Sequence, residues 1–367
     1  MPSSWQWLLK DAIRDPAELC ALLRLPAGCL PAARRAAGDF PLFVPRGYAA
    51  KMRPGNPRDP LLLQVLPVDE ECSPPESPAV GAGSPFAPRK HLPSRSETRL
   101  WPAADDRPDF VSDPVGDLQA QVAAGMLQKY HGRALLIATG ACAIHCRYCF
   151  RRHFPYSDGP HSLAAWQPAI ERIADDPTIE EVILSGGDPL TLVDPWLKRL
   201  VEQLASIAHV RRLRVHSRLP VVLPERVCPE MFEWLCGTRL TPIMVVHANH
   251  PAEICAGVAA AFGRLSAAGV IVLNQAVLLR QVNDNADVLA ELCRRLVDLR
   301  VMPYYLHQLD RVRGASHFEV SQAEGLVLMG ELRRRLPGYA VPRYVRESAG
   351  AASKIDIGLS HDAGSRT

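Results

Sequence analysis

Three cysteines stand close together near the middle of the chain, in the run Gly140-Ala141-Cys142-Ala143-Ile144-His145-Cys146-Arg147-Tyr148-Cys149-Phe150. Thiolates at Cys-x3-Cys-x2-Cys spacing on one loop can converge on one metal centre. Three of them suit a cubane iron–sulfur cluster whose fourth iron keeps no protein ligand and stays open to a small chelating molecule. A structural zinc site would want four closed ligands, with His145 or His153 as the fourth. A redox disulfide would leave one thiol over. The loop follows Ala134-Leu135-Leu136-Ile137-Ala138, a short apolar run that reads as a buried strand.

The elements that must position this loop alternate from there onward. Strands are expected at Leu135–Ala138, Glu181–Leu184, Leu213–His216, Ile243–His247, Val270–Leu278 and Val301–Leu306. Helices fill the intervals at Leu163–Ala174, Pro195–Ala208, Pro229–Leu235, Ala252–Ala268, Ala286–Leu299 and Ser321–Arg335. Such alternation implies an α/β fold with a parallel sheet and right-handed crossovers. Six βα units are too few for a closed eight-fold barrel, so a partial, open (β/α)6 barrel is expected. Its mouth lies at the strand C-terminal ends. There the sequence places Gly186-Gly187-Asp188, Ser217-Arg218, His247, Gln275 and Asp310. Polar residues at successive strand ends describe a lined pocket.

Before the barrel, residues 5 to 36 show helical spacing, with Asp15-Pro16 as a helix start, and read as two helices and a loop forming an N-terminal cap. The stretch from Phe40 to Tyr48 is too rich in proline for a central strand. Residues 67–108 lack apolar periodicity and are rich in Pro and Ser, the composition of a linker or insertion. The expected boundaries are therefore a cap over 1–66, the linker, a barrel over 109–340 and a C-terminal segment over 341–367. Hydrophobic residues make up 47% of the 367, enough for a full core. A net charge of +3 gives no ground for a nucleic acid or membrane-surface partner. No apolar run is long enough to span a bilayer, and Met1-Pro2-Ser3-Ser4-Trp5 does not read as a secretory signal. The other seven of the ten cysteines are scattered, which fits a reducing cytoplasm better than a disulfide framework.

With Tyr148 before its last cysteine, the loop resembles that of the radical S-adenosylmethionine (SAM) superfamily. Arg133-Ala134-Leu135-Leu136, the loop's continuation Phe150-Arg151-Arg152-His153-Phe154, Leu184-Ser185-Gly186-Gly187-Asp188-Pro189-Leu190, Asn274-Gln275-Ala276-Val277 and Tyr304-Tyr305-Leu306-His307-Gln308-Leu309-Asp310 together resemble the lysine 2,3-aminomutase family. That resemblance implies a 4Fe-4S cluster on Cys142, Cys146 and Cys149, with SAM on its open iron near Gly186, Gly187, Asp188, Ser217, Arg218 and His247. It implies pyridoxal 5′-phosphate (PLP) as a Schiff base on Lys354, with Lys129, Arg133 and Gln275 at its phosphate. Lys129 replaces an arginine of the family. Arg151 matches the residue that pairs with the substrate carboxylate, and Asp310 and Glu347 match the pair that holds its ε-ammonium. The implied reaction isomerises free L-lysine to β-lysine, with electrons from a flavodoxin or ferredoxin system. Within the family, the runs Cys149–Tyr156 and Arg346–Lys354 resemble the branch that supplies β-lysine to a ligase modifying elongation factor P. Catabolic lysine aminomutases carry Asp where Glu347 stands and continue well past the PLP lysine. A glutamate aminomutase would need a cation where Asp310 and Glu347 offer negative charge. A zinc-stabilised binding protein without catalysis is the reading from another class.

Overall fold

The computed structural model describes residues 4–72, 109–160, 162 and 164–358. Among these residues ten strands form one sheet whose spatial order follows the sequence. A short hairpin, β1 (Gln121–Ala123) and β2 (Met126–Leu127), leads antiparallel into β3 (Arg133–Thr139). Then come seven parallel strands counted from β3: β4 (Glu181–Gly186), β5 (Arg212–Ser217), β6 (Thr241–Val246), β7 (Ile271–Val277), β8 (Met302–His307) and β9 (Arg343–Arg346). β10 (Ile355–Asp356) returns antiparallel on β9. β3 pairs with β2 and β4 but not with β9, so the barrel stays open.

The parallel strands carry near-continuous apolar runs because both faces are covered. Leu136, Leu184, Val215 and Met244 follow one another across the register from β3 to β6, and all are buried. The helices after β3 to β8 are Gln167–Asp175, Asp194–Ser206, Pro229–Leu235, Ala256–Ala267, Ala286–Asp298 and Gln322–Arg335. Each turns a stripe inward. In Asp194–Ser206 the stripe is Leu197, Leu200, Val201 and Leu204. Burying each such side chain contributes about 1.5–3 kcal/mol. All six expected helices are present. The first begins at Gln167 rather than Leu163 because Ala164–Trp166 forms a 3-10 turn. The fourth begins at Ala256 because Pro251–Glu253 does the same.

Three features differ from the expectation. Residues 4–39 form three helices, Ser4–Lys10, Pro16–Leu22 and Cys29–Asp39, rather than two, and two short helices follow at Arg46–Ala49 and Pro60–Leu63. Asp15 does cap the second, accepting from the backbone N of Ala17 at 2.8 Å. The segment beyond residue 341 opens with a seventh parallel strand, β9, whose buried Tyr344 and Val345 are flanked by exposed arginines. Four residues with charged ends are too short to show a strand period. Third, the linker boundary at 67 is corrected. Val68, Glu70 and Glu71 are buried, and Glu71 forms ion pairs with Arg147 at 2.6 Å and Arg152 at 2.9 Å. The rest of the expected linker, 73–108, lies outside the described residues. No helix among the described residues is long and apolar enough to cross a membrane.

Candidate active site

The cysteine loop leaves the end of β3 and lies against the end of β4. Gly187 N donates to Thr139 O, and Asp188 N to Ala141 O, both at 2.7 Å. A Cβ on Gly187 would sit 2.4 Å from Ala141 O. Gly186 has φ +116°, and a Cβ there would sit 2.6 Å from Thr139 O. The paired glycines therefore let two backbones meet, which seats the cysteines at the barrel mouth.

Cys142, Cys146 and Cys149 are all free thiols. Burial, then its neighbouring thiols and Asp188, push the Cys142 thiol well up; burial and Cys146 push Cys149 up to about 11. Three thiolates can coexist here only beside strong positive charge, which a metal centre supplies. Among the described residues no three His, Cys, Asp or Glu side chains converge closely enough to hold a single ion. The two histidines offered as a fourth zinc ligand each bind a backbone carbonyl through one ring nitrogen, which leaves the other nitrogen free. His145 Nδ1 is bonded to Pro41 O at 2.7 Å, and His153 Nε2 to Arg313 O at 3.2 Å. The three free cysteines would suit a 4Fe-4S cluster with one iron left open.

Two residues expected at SAM are otherwise engaged. The Asp188 carboxylate accepts from Ser217 Oγ (2.8 Å), Arg218 N (2.8 Å), Leu190 N (3.1 Å) and Leu219 N (3.2 Å). Burial raises Asp188 to about 6 despite these bonds. Asp188 and Ser217 thus tie the end of β4 to the turn after β5 instead of facing a ligand. Arg218 turns its guanidinium to Cys146 Sγ, 2.7 Å away.

Deeper in the barrel, His216, His247 and His307 are kept neutral, mainly by burial, with His247 lowered to about 3. Nε2 of His216, Nε2 of His307 and Nε of Arg214 are buried without a hydrogen-bond partner. Lys354 Nζ lies 5.9 Å from the Tyr305 ring in the same interior, and its ammonium contributes to the depression of His216 and His307. Orphaned polar groups around one lysine fit a polar cofactor such as PLP. The three expected phosphate residues are spread out. Gln275 lies against His247 at 3.2 Å, and Arg133 stacks on Tyr130 at the start of β3. Lys129 is taken up by Asp117 and Glu347. They share no partner among the described residues.

A row of charges crosses the mouth. Arg151 donates from Nε to Asp117 Oδ2 (2.6 Å) and from Nη1 to Ser185 Oγ (3.0 Å). Lys129 Nζ pairs with Asp117 Oδ1 (2.6 Å) and Glu347 Oε1 (2.9 Å), and Lys354 grips the other Glu347 oxygen. Burial alone would raise Glu347, but the ammonium groups of Lys354 and Lys129 outweigh it and hold the carboxyl at about 2. Asp117 is scarcely signalled in the sequence. Its one signal is the turn Asp113-Pro114-Val115-Gly116-Asp117, in which Asp113 accepts from the backbone N of Asp117 at 2.9 Å. Beside the row, Asp310 and Glu347 line a cavity of about 710 Å³ with Gln308, Arg280 and Arg346. The Asp310 carboxylate has no hydrogen-bond or ion-pair partner among the described residues. Burial, then Glu347, pushes it up to about 7 against Lys354 and Lys129.

Residues 131–213 match the family described as a 4Fe-4S single cluster domain. The chain is 42% identical to the L-lysine 2,3-aminomutase of Escherichia coli K12, an alignment covering 98% of this chain and 96% of that one. It is 41% identical to the protein of the same name from Haemophilus influenzae Rd, covering 96% and 94%. With the Clostridium subterminale L-lysine 2,3-aminomutase the identity is 31%, covering 97% of this chain and 78% of that one.

Proposed function

The chain belongs to the L-lysine 2,3-aminomutase family, and on that premise we propose that it moves the 2-amino group of L-lysine to carbon 3, giving β-lysine. The observation that carries the substrate is the carboxylate pair. Glu347 already grips one lysine ammonium, that of Lys354, while Asp310 beside it goes without a cation. A second lysine ammonium is the ligand that would match this deficit.

When bound, the 4Fe-4S cluster with SAM supplies a radical for hydrogen abstraction, and PLP supplies the conjugated system through which nitrogen migrates. The protein's residues position the reactants. Cys142, Cys146 and Cys149 would hold the cluster. Gly186 and Gly187 keep the cysteine loop tight against β4. Lys354 would carry PLP, and Glu347 and Asp310 would hold the substrate ε-ammonium between them. Arg151 is buried and its fork suits a carboxylate. Asp117 and Ser185 fix that fork and leave its remaining N–H donors to orient the α-carboxylate. His216 and His307 offer PLP neutral donors or acceptors, and Arg133 or Arg214 a cation for its phosphate.

A cytoplasmic site, electrons from flavodoxin or ferredoxin, and delivery of β-lysine to a ligase acting on elongation factor P complete the reading. The last rests on the resemblance of the Cys149–Tyr156 and Arg346–Lys354 runs, the first on the scattered cysteines, and the electron donor on the family resemblance. The deciding experiment is anaerobic reconstitution with iron, sulfide and PLP, then incubation with L-lysine, SAM and a reductant. β-Lysine should accumulate, and borohydride reduction with peptide mapping should put the pyridoxyl group on Lys354. No β-lysine from fully loaded protein, or a preference for glutamate, would sink the reading.

A further inference from the structure

Arg218 is a buried cation that neither the lysine site nor the PLP lysine calls for. It stands just past β5 and is 7% exposed. Nη1 donates to Cys146 Sγ at 2.7 Å. Nη2 donates to Gln64 Oε1 and Glu253 Oε1, both at 2.6 Å, and lies 3.3 Å from the Tyr48 hydroxyl. These holders are fixed in turn. Glu253 accepts from Tyr48 OH at 2.7 Å, Asn249 N at 2.6 Å and His250 N at 3.0 Å. Gln64 Oε1 also accepts from Asn249 Nδ2 at 3.0 Å. The guanidinium is therefore clamped on the side away from the sulfur. Its Nε is buried without a partner, so it has a further donor to give at the same place. A planar fork of five donors serves a carboxylate, an amide and a sulfur from fixed positions, a geometry that the point charge of lysine does not fix.

We propose that Arg218, locked by Glu253 and Gln64, donates to the sulfur of the cluster ligand Cys146 and raises the reduction potential of the cluster. This rests on the reading that Cys142, Cys146 and Cys149 hold a 4Fe-4S cluster. An N–H donor withdraws electron density from a ligand sulfur, and a nearby positive charge favours the more negative, reduced cluster. Glu253 opposes the charge part of that effect and enforces the geometric part. Arg218 is thus a positioning residue that acts through Cys146, distinct from a SAM ligand.

The test is a potentiometric titration of the reconstituted full chain without SAM, followed by electron paramagnetic resonance of the reduced cluster, with iron content measured on each sample. Arg218→Gln should shift the midpoint to more negative potential, and Arg218→Lys by less. Glu253→Gln, which removes the opposing charge, should shift it the other way. Midpoints of both Arg218 variants equal to wild type would overturn the proposal. So would loss of iron from both, which would mark Arg218 as needed to retain the cluster rather than tune it. Negative shifts in all three would mark general loosening of the loop and overturn it as well. Wild-type protein that takes up no cluster would instead sink the reading beneath the proposal.

Discussion

Around the cysteines, buried charge is neutralised within the protein; around Lys354 much of it is left for a ligand. On the cysteine side, Glu71 is shared by Arg147 and Arg152, Glu253 by Arg218 and Tyr48, and Asp188 accepts four hydrogen bonds. What this side leaves open is the three free thiols and a few buried N–H groups, Arg218 Nε and Arg152 Nε among them. On the lysine side, Asp310 has no partner among the described residues, and His216 and His307 each keep an unsatisfied Nε2. A buried polar group without a partner is costly unless a ligand supplies one. The first region is therefore pre-organised for a resident cluster. The second is complete only when cofactor and substrate arrive.

Four changes to the protein test whether its two sides differ in this way. The largest effect is expected from Cys146→Ala, which removes a cluster ligand and should abolish reductive SAM cleavage, measured as 5′-deoxyadenosine. Retained cleavage would show that the cysteine side is not what it is taken to be. Next is Glu71→Ala, which strands the fully buried Arg147. Breaking a buried pair from one side costs about 3–5 kcal/mol, so equilibrium unfolding should show that loss. A change within about 0.5 kcal/mol would mean the cysteine side tolerates unmatched charge.

On the lysine side, Asp310→Asn should remove affinity rather than stability. Losing one partner of a desolvated charge pair costs about 2–5 kcal/mol, read as a fall in kcat/KM for lysine with uncoupled SAM cleavage largely kept. The sign of the pH dependence follows from the same carboxyl. Its folded value, about 7, lies above the ordinary 3.8. Stability is thus fuller below the ordinary carboxylate range and is lost as pH rises through about 7. Lysine binding needs the ionised form, so KM should fall across that interval and level off above it. Asp310→Asn should flatten that dependence, and an unchanged profile in the variant would assign the titration elsewhere. The smallest effect is expected from removing residues 75–105, the stretch whose composition reads as a linker, while keeping Glu71. Iron content and lysine turnover should be preserved, because loop closure entropy changes slowly with length. Lost iron would tie that stretch to the cysteine side.

By itself the sequence determined what is local and periodic. The cysteine spacing, the alternation of six strands and six helices, the Asp15 cap and the Gly186-Gly187 turn each follow from residues within a few positions of one another. Such patterns are legible locally, and packing against distant segments then fixes them as structure. Tertiary structure alone decided which buried charges meet. Asp117 stands between Arg151, 34 residues away, and Lys129. Glu71 sits under the cysteine loop from 76 residues upstream of Arg147. The short β9 is recognisable as a strand only because β8 offers it an edge, and it carries Glu347 to the mouth. Asp188 and Ser217 read as ligand-facing from the strand ends, yet they satisfy each other. A buried charge takes the nearest partner that the fold brings within about 3 Å, and that choice depends on how distant segments converge.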